Sequence, residues 1–291
     1  MLPSVIGDAR IATAGACPRP TRSNMPIKTI KSGTLEYLVS DGIAVPHCFT
    51  TRFGGVSTGI LSSLNIGIHR GDSWENVLKN YEILGNELGF NSKNAVLSHQ
   101  THTDTVRLVT AADAGAGLFA PELPECDALI TNTAGLALTI FTADCTPILL
   151  HDPVTGAVGA AHAGWRGTAA AIAGKTVAAM ERHFGTKPEN IRAAIGPNIG
   201  PCCFRTDADV PQAMGALLGA AAESCIRTQG DKYYVNLKEI NALVLRRSGV
   251  LHVDISADCT ACQPHRFWSH RVTKGERGSQ GAIIVCKEGC R

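Results

Sequence analysis

The chain has 291 residues, of which 44% are hydrophobic, and its formal net charge is +2. This length and apolar content suit one large globular domain with an ample core. Lysine and arginine are spread along the chain without a basic stripe interleaved with aromatics, which argues against a nucleic-acid-binding protein. Long uninterrupted apolar runs are missing from the sequence, so we predict no membrane span.

Cysteine usage indicates the cellular compartment. The eleven cysteines are a small, odd-numbered fraction of the chain, and the first apolar run is too weak for a signal peptide. We therefore predict a reducing, cytoplasmic compartment in which most thiols are core residues. Residues 1–24 are rich in Ala, Pro, Arg and Ser and lack periodicity, so we interpret them as a loose extension before a single domain over 25–291.

Strands and helices are predicted in mixed order along the chain. Apolar spacing and an Asp cap predict a helix over 72–88, and a polar interruption separates two predicted strands within 94–109. The central section predicts four strands, with DPVTG as the turn between the last two. Their sequences are DALIT (127–131), LALTIFTADC (136–145), TPILLHD (146–152) and AVGAAHAG (157–164).

The second half of the chain continues the same alternation. Three helices are predicted, over 167–185, 207–223 and 235–249, the first of them ending at a glycine. Three further strands are predicted over 191–196, 252–256 and 281–286. Neither a linker nor an internal repeat divides the chain, so one α/β or α+β domain is the simplest interpretation.

Three short polar stretches interrupt the apolar pattern where a strand meets a turn. LSHQTH contains His99 and His102, TADCTP contains Asp144 and Cys145, and AAHAGWRGT contains His162. Two histidines and one cysteine suit zinc with an open fourth position, and an adjacent carboxylate suits an acid/base or ligand-orienting group. Because the stretches are far apart in sequence, spacing alone leaves a purely structural role open for each residue.

Two cysteine pairs lie in the second half of the chain. CTACQPHRFWSH places Cys259 and Cys262 in a CxxC pattern followed by His265 and His270, which resembles half of a zinc knuckle. We interpret this stretch as a turn with incidental thiols, because no second half-site completes it. Adjacent cysteines on a regular strand point to opposite faces, so we interpret PCCF (201–204) as structural.

A glycine-rich stretch, TRFGGVSTG (51–59), places Arg52 before a glycine pair. Glycine pairs permit close backbone approach, and arginine offers a planar fork for phosphate or carboxylate. Taken alone, this pattern is more typical of a turn with a solvated arginine.

Assembled in order, these stretches resemble the multicopper-polyphenol-oxidase, or laccase-domain, family, now regarded as purine nucleoside phosphorylases. The matching motifs are TRFGGVSTG, SLNIGIHRGD, HQTH, TADCTPILLHDP, HAGWRGT, IGPNIGPCC and CTACQPHRFWSHR, which span roughly residues 45–285. The resemblance implies a single catalytic domain of the α+β class, with layered mixed β-sheets flanked by helices in an α/β/β/α-like order.

The resemblance also implies the chemistry. It implies zinc held by His99, Cys145 and His162, with Cu2+ as the alternative metal. It implies phosphorolysis of adenosine, inosine and methylthioadenosine, with adenosine deamination as a second activity, so that purine nucleosides and phosphate are the expected partners. The oligomeric state stays open.

Roles for individual residues follow as hypotheses. Asp144, Cys145 and His162 are the expected catalytic residues, and Arg52 is the first candidate for phosphate, with Arg166 or Arg271 as rivals. The expected further substrate contacts are Asn65, His69 and Gln100.

Three other functions remain open at this point. Cys145 and His162 also suit the nucleophile and base of a cysteine hydrolase. A copper-dependent polyphenol oxidase would need many histidines in HxH-type arrangements, whereas the chain has ten histidines in all. A zinc-stabilised interaction module would normally fill the fourth coordination position, which these ligands leave open.

Overall fold

The computed structural model describes residues 27–287, so the predicted loose extension over 1–24 lies outside the described residues. Within residues 27–287, no helix combines the length and apolar content that crossing a membrane requires. The strands in chain order are β1 (Ile27–Ser32), β2 (Leu35–Ser40), β3 (His47–Thr50), β4 (Ala95–Leu97), β5 (Val106–Leu108), β6 (Ala128–Thr131), β7 (Ala137–Thr142), β8 (Thr146–His151), β9 (Val158–Ala163), β10 (Arg192–Ile195), β11 (Arg205–Thr206), β12 (Ile226–Gln229), β13 (Lys232–Val235), β14 (His252–Ile255) and β15 (Gln280–Val285). The α-helices are α1 (Trp74–Leu88), α2 (Trp165–Ala169), α3 (Ile172–Phe184), α4 (Asp209–Leu218), α5 (Leu237–Arg247) and α6 (His270–Thr273).

Two six-stranded mixed sheets form the centre of the fold. The first has the order β1-β2-β3-β15-β7-β4, in which only the β4–β7 pair is parallel. The second has the order β14-β10-β8-β9-β6-β5, in which β10–β14 and β5–β6 are the parallel pairs. A small third sheet joins β11, β13 and β12.

Alternation along the strands creates the layers. Along β15, Ala282 and Ile284 pack between the two sheets, whereas Ile283 and Val285 pack in the cluster that α1 covers. Along β8 and β9, alternate residues face the outer helices α3, α4 and α5 or the space between the sheets. Successive strand residues point to opposite faces, so each sheet buries both faces. The α+β class with layered mixed sheets and flanking helices is confirmed.

Three predicted helices differ in detail. The helix predicted over 207–223 ends at Leu218, because Gly219 adopts φ 61° and a 3-10 helix, Gly219–Cys225, follows. The helix predicted over 167–185 is two helices, because Ala171 adopts φ 59° and interrupts the hydrogen-bond ladder between α2 and α3. The N-cap of α1 is Ser73, whose hydroxyl accepts from the Asn76 N–H, and the predicted cap, Asp72, lies outside the helix. The Asp72 carboxylate instead accepts from Ser57 and Asn65 side chains, which fixes the preceding loop.

The chain passes from the first sheet to the second at 143–145, between β7 and β8. This crossing lies beside the end of β9, the start of β6 and the loop that follows β4. The polar stretches that the sequence singled out therefore meet at one edge of the two-sheet core.

Candidate functional site

The sheet crossing explains why an acid and a thiol interrupt an apolar run. Asp144 has φ 93°, a backbone conformation that few non-glycine residues adopt. Its carboxylate accepts a 2.6 Å hydrogen bond from the Thr260 hydroxyl and a 2.7 Å bond from the Arg271 backbone N–H. These bonds hold the turn and leave the next side chain, Cys145, facing a cleft.

Cys145 forms a cluster with two histidines. The ligand atoms of His102, Cys145 and His162 all lie within 4.8 Å of one another. The Cys145 Sγ is 3.9 Å from the His102 Nε2, and the two imidazole rings meet edge to face with centroids 5.0 Å apart. Three ligands of this kind with an open fourth position are typical of a catalytic zinc site.

The structure brings His102, rather than His99, to this cluster. His99 points its Nδ1 at the Leu123 carbonyl, 3.1 Å away, and lies 3.8 Å from the Glu122 carboxylate. His99 lines the same cleft but is not among the three clustered ligands. Both histidines follow β4 in one loop, so only the tertiary structure distinguishes them. His102 has φ 63°, and this left-handed turn aims its ring at Cys145.

Asp127 is a site residue that the sequence reasoning missed. Its carboxylate is fully buried and lies 2.7 Å from the His162 Nδ1. It also accepts from the backbone N–H groups of Thr101, His102 and Thr103. A carboxylate behind a ligating histidine fixes the tautomer and orientation of the ring. The only sequence signal was an acid at the start of an otherwise apolar strand.

Without a metal, the neighbours of Cys145 favour its thiolate and those of His162 favour its protonated ring. Burial opposes charge on Cys145, but His162 and His102 outweigh it and lower the pKa of the thiol to about 6. Burial likewise opposes charge on His162, yet Cys145 and Asp127 raise the pKa of the imidazole to about 9. Despite its burial, hydrogen bonds from His162 and Thr103 lower the pKa of Asp127 to about 2. At neutral pH Cys145 therefore favours the thiolate form that binds a metal, whereas His162 must release a ring proton before it can bind one.

In metal-free protein, we expect iodoacetamide to alkylate Cys145 with a rate that rises through pH 6 and levels off before pH 8. The thiol form below pH 6 is unreactive, and an ordinary cysteine would titrate above pH 8. Peptide mass spectrometry across a pH series measures the rate at this residue.

Asp127→Asn is the control for this experiment. Loss of the carboxylate lowers the pKa of His162, so the positive charge that stabilises the Cys145 thiolate is reduced. The midpoint of the alkylation rate should therefore move to higher pH. A wild-type midpoint above pH 8 would contradict the thiolate assignment.

A cleft of about 180 Å³ opens above the cluster. Of the predicted substrate contacts, it contains His69 and Gln100. The His69 Nε2 lies 2.6 Å from the Glu122 carboxylate, which also lines the cleft. The Gln100 side chain has a structural role, because its amide accepts from the Phe141 N–H and donates to the Phe141 carbonyl.

The other predicted substrate contacts lie outside the residues that line this cleft. The Arg52 guanidinium donates to the Ser62 and Pro264 carbonyls and stacks over Trp268, so it joins loops. Asn65 is fully buried, and its amide accepts from backbone N–H groups and donates to Asp72 within the same region.

The two rival arginines are also outside the cleft lining. Arg166 is exposed and stacks on Trp165. The Arg271 guanidinium donates to the carbonyls of Cys203 and Arg205.

Two unpredicted arginines do line the cleft. Arg70 donates from Nε to the Ser279 hydroxyl, and Arg277 donates to the Gly278 carbonyl and the same hydroxyl. Burial, followed by the charge of Arg70, lowers the pKa of Arg277 to about 10. The buried Arg277 Nε has no hydrogen-bond partner among the described residues. Two neighbouring guanidinium groups with N–H donors that are not used within residues 27–287 are suited to binding an anion.

A family model described as "Multi-copper polyphenol oxidoreductase laccase" matches residues 46–287. The chain belongs to this family. Its relatives in the laccase family include the purine nucleoside phosphorylase YlmD of Geobacillus stearothermophilus, 39% identical over 244 residues, which cover 82% of this chain and 89% of that protein. The purine nucleoside phosphorylase YfiH of Escherichia coli is 34% identical over 230 residues, covering 79% and 89%.

Solved structures of laccase-family proteins share the fold. The crystal structure of Bacillus licheniformis YfiH has a TM-score of 0.85 at 33% identity, covering 90% of this chain and 99% of that one. The crystal structure of Geobacillus stearothermophilus YlmD has a TM-score of 0.84 at 36% identity, covering 89% and 99%. The family resemblance that the sequence motifs indicated is confirmed.

Proposed function

We propose that the chain is a zinc-dependent purine nucleoside phosphorylase acting on adenosine, inosine and methylthioadenosine. The observation that carries the proposal is one cleft with a His102–Cys145–His162 cluster and the arginine pair Arg70 and Arg277. The names of the relatives support the same reaction class.

The donor set fits zinc better than a multicopper centre. Two imidazoles and one thiolate form a site with borderline softness, and the three ligands leave a position open. Within residues 27–287, ligand atoms cluster at two places only, and neither place contains more than two histidines. A bound zinc would supply a Lewis acid at the floor of the cleft.

The chain's own residues perform the remaining tasks of phosphorolysis. Arg70 and Arg277 bind phosphate and orient it toward the ribose C1′, and their charge favours the anion before and after transfer. His69 and Glu122, hydrogen-bonded to each other, provide polar contacts for the nucleoside at the cleft mouth. Phe141 offers an aromatic face in the same lining.

Asp144 takes a positioning role in this proposal. Both carboxylate oxygens accept hydrogen bonds from groups outside the cleft, and the residue is not part of the cleft lining. For adenosine deamination, the proposed second activity, a non-ligand carboxylate must move the proton. Glu122 is the carboxylate in the cleft lining, so the proton-transfer role suggested for Asp144 passes to Glu122.

Incubation of the purified protein with adenosine, with and without phosphate and a zinc chelator, tests the proposal. We expect adenine and ribose-1-phosphate only when phosphate and metal are both present. Inosine in either buffer would establish the deaminase. Absence of turnover of any purine nucleoside by zinc-loaded protein would overturn the phosphorylase assignment.

The pairing of Cys145 with His162 is also typical of a second candidate function, a cysteine hydrolase. A cysteine hydrolase would use Cys145 as nucleophile and His162 as base, and its activity would survive chelation and end on alkylation. A phosphorylase of the proposed kind loses activity with the chelator and regains it with zinc.

A further inference from the structure

A second group of thiols lies away from the cleft. Cys202 and Cys203 come from one loop and Cys259 and Cys262 from another, and the four Sγ atoms all lie within 4.8 Å of one another. The Cys262 Sγ is 3.4 Å from the Sγ atoms of both Cys202 and Cys203. We propose that these four cysteines bind a structural zinc ion.

The distances match tetrahedral coordination. Zinc–thiolate bonds of about 2.3 Å in a tetrahedron place the sulfur atoms about 3.8 Å apart. Two of the Sγ–Sγ distances are 3.4 Å and all are at most 4.8 Å, so the cluster has about this size. A disulfide would bring its two sulfur atoms to about 2.05 Å, whereas the Cys262 Sγ lies 3.4 Å from its two neighbours and all four cysteines are present as thiols.

The local backbone explains how two adjacent cysteines face one point. Cys202 and Cys203 lie in a turn, closed by the Cys203 N–H donating to the Gly200 carbonyl, and not in a strand. The interpretation of PCCF as structural assumed a regular strand, and the structure has a turn at this place. Because Gly200 has no side chain, its backbone approaches Cys259, where a Cβ would lie 3.2 Å from the Cys259 Cβ.

The surroundings favour a thiolate ligand. The Gly200 N–H donates to the Cys259 Sγ over 3.1 Å, the kind of bond that stabilises a metal-bound thiolate. Cys259 is buried, whereas Cys262 is exposed, so a metal ion has a path from solvent. The isolated bridge between Asn198 and Cys259 sets the two loops side by side.

The proposed zinc would hold together the two loops that support the candidate active site. The loop that contains Cys259 also contains Thr260, whose hydroxyl bonds Asp144. The Cys203 carbonyl accepts from the Arg271 guanidinium, and the Arg271 N–H bonds the same Asp144 carboxylate. The ion would therefore fix the loops that hold the turn before Cys145.

Zinc analysis of full-length protein, purified under reducing conditions and reconstituted with zinc, tests the proposal. We expect the Cys202→Ser/Cys262→Ser variant to bind one zinc fewer per chain than the wild type. The matched control is Cys225→Ser, which removes a buried thiol outside the cluster and should leave the zinc content unchanged.

A second measurement does not depend on the folding of that variant. Cys145→Ser disables the candidate catalytic cluster, so its remaining zinc should show only sulfur neighbours at about 2.3 Å by X-ray absorption. This result is independent of whether the protein is a phosphorylase.

Three results would overturn the proposal. They are equal zinc content in the wild type and the double-serine variant, a Cys145→Ser protein that takes up no zinc, and iron in preference to zinc at the sulfur site.

Discussion

His102→Ala should abolish metal binding in the cleft and lower phosphorolysis by more than about 100-fold, which exceeds the usual effect of losing an outer partner of a metal ligand. His102 contributes an Nε2 that lies 3.9 Å from the Cys145 Sγ, and its removal leaves a site with two ligands. The loss of one zinc ion per chain and the initial rates with adenosine and phosphate measure both effects, since the proposed four-cysteine site keeps its own zinc.

His99→Ala is the matched control, because it changes the same residue type in the same loop. His99 lines the cleft without joining the clustered ligands, so zinc should stay bound while the KM for nucleoside changes modestly. Loss of the cleft zinc in His99→Ala, with the cleft zinc retained in His102→Ala, would restore the ligand set that the family resemblance first implied.

Arg277→Gln should raise the KM for phosphate by about 10- to 150-fold, the equivalent of ~1.5–3 kcal/mol for a hydrogen bond to a charged group. The change removes one of the two arginine side chains that line the cleft and keeps an uncharged polar side chain in its place. The KM for adenosine should change much less. Phosphate saturation curves at fixed adenosine measure the ratio.

Arg52→Gln separates the anion site from the arginine that the sequence favoured. Arg52 donates to the Ser62 and Pro264 carbonyls, so its loss should lower the melting temperature and leave the KM for phosphate unchanged. A raised phosphate KM in Arg52→Gln, with none in Arg277→Gln, would move the phosphate site out of the cleft.

Arg52 and Arg277 differ in the groups that surround their guanidinium ions. Arg52 stands in a glycine-rich motif, but backbone carbonyls and the face of Trp268 satisfy its guanidinium. Arg277 lies near the C-terminus, outside the motifs that carry the family resemblance, yet its side chain lines the cleft together with Arg70. The sequence does not show whether an arginine side chain donates its hydrogen bonds to backbone carbonyls or faces a binding cleft.

Sequence alone determined the class of the fold and the centre of the candidate site. The layered α+β arrangement was implied by the resemblance to the family. The two-residue alternation in strands and the 3.6-residue spacing in helices are local properties, and they indicated one α/β or α+β domain. Cys145 and His162 were found in the same way, because polar residues at the ends of buried strands interrupt an apolar pattern.

Only the tertiary structure decided which partners these residues meet. His102 rather than His99 reaches Cys145, Asp127 orients His162, and four cysteines from two distant loops converge. Each of these contacts joins residues that are far apart in sequence, or depends on a left-handed turn that fixes where one side chain points. Local propensity carries no information about such contacts, since the packing of the two sheets and their loops sets the distances.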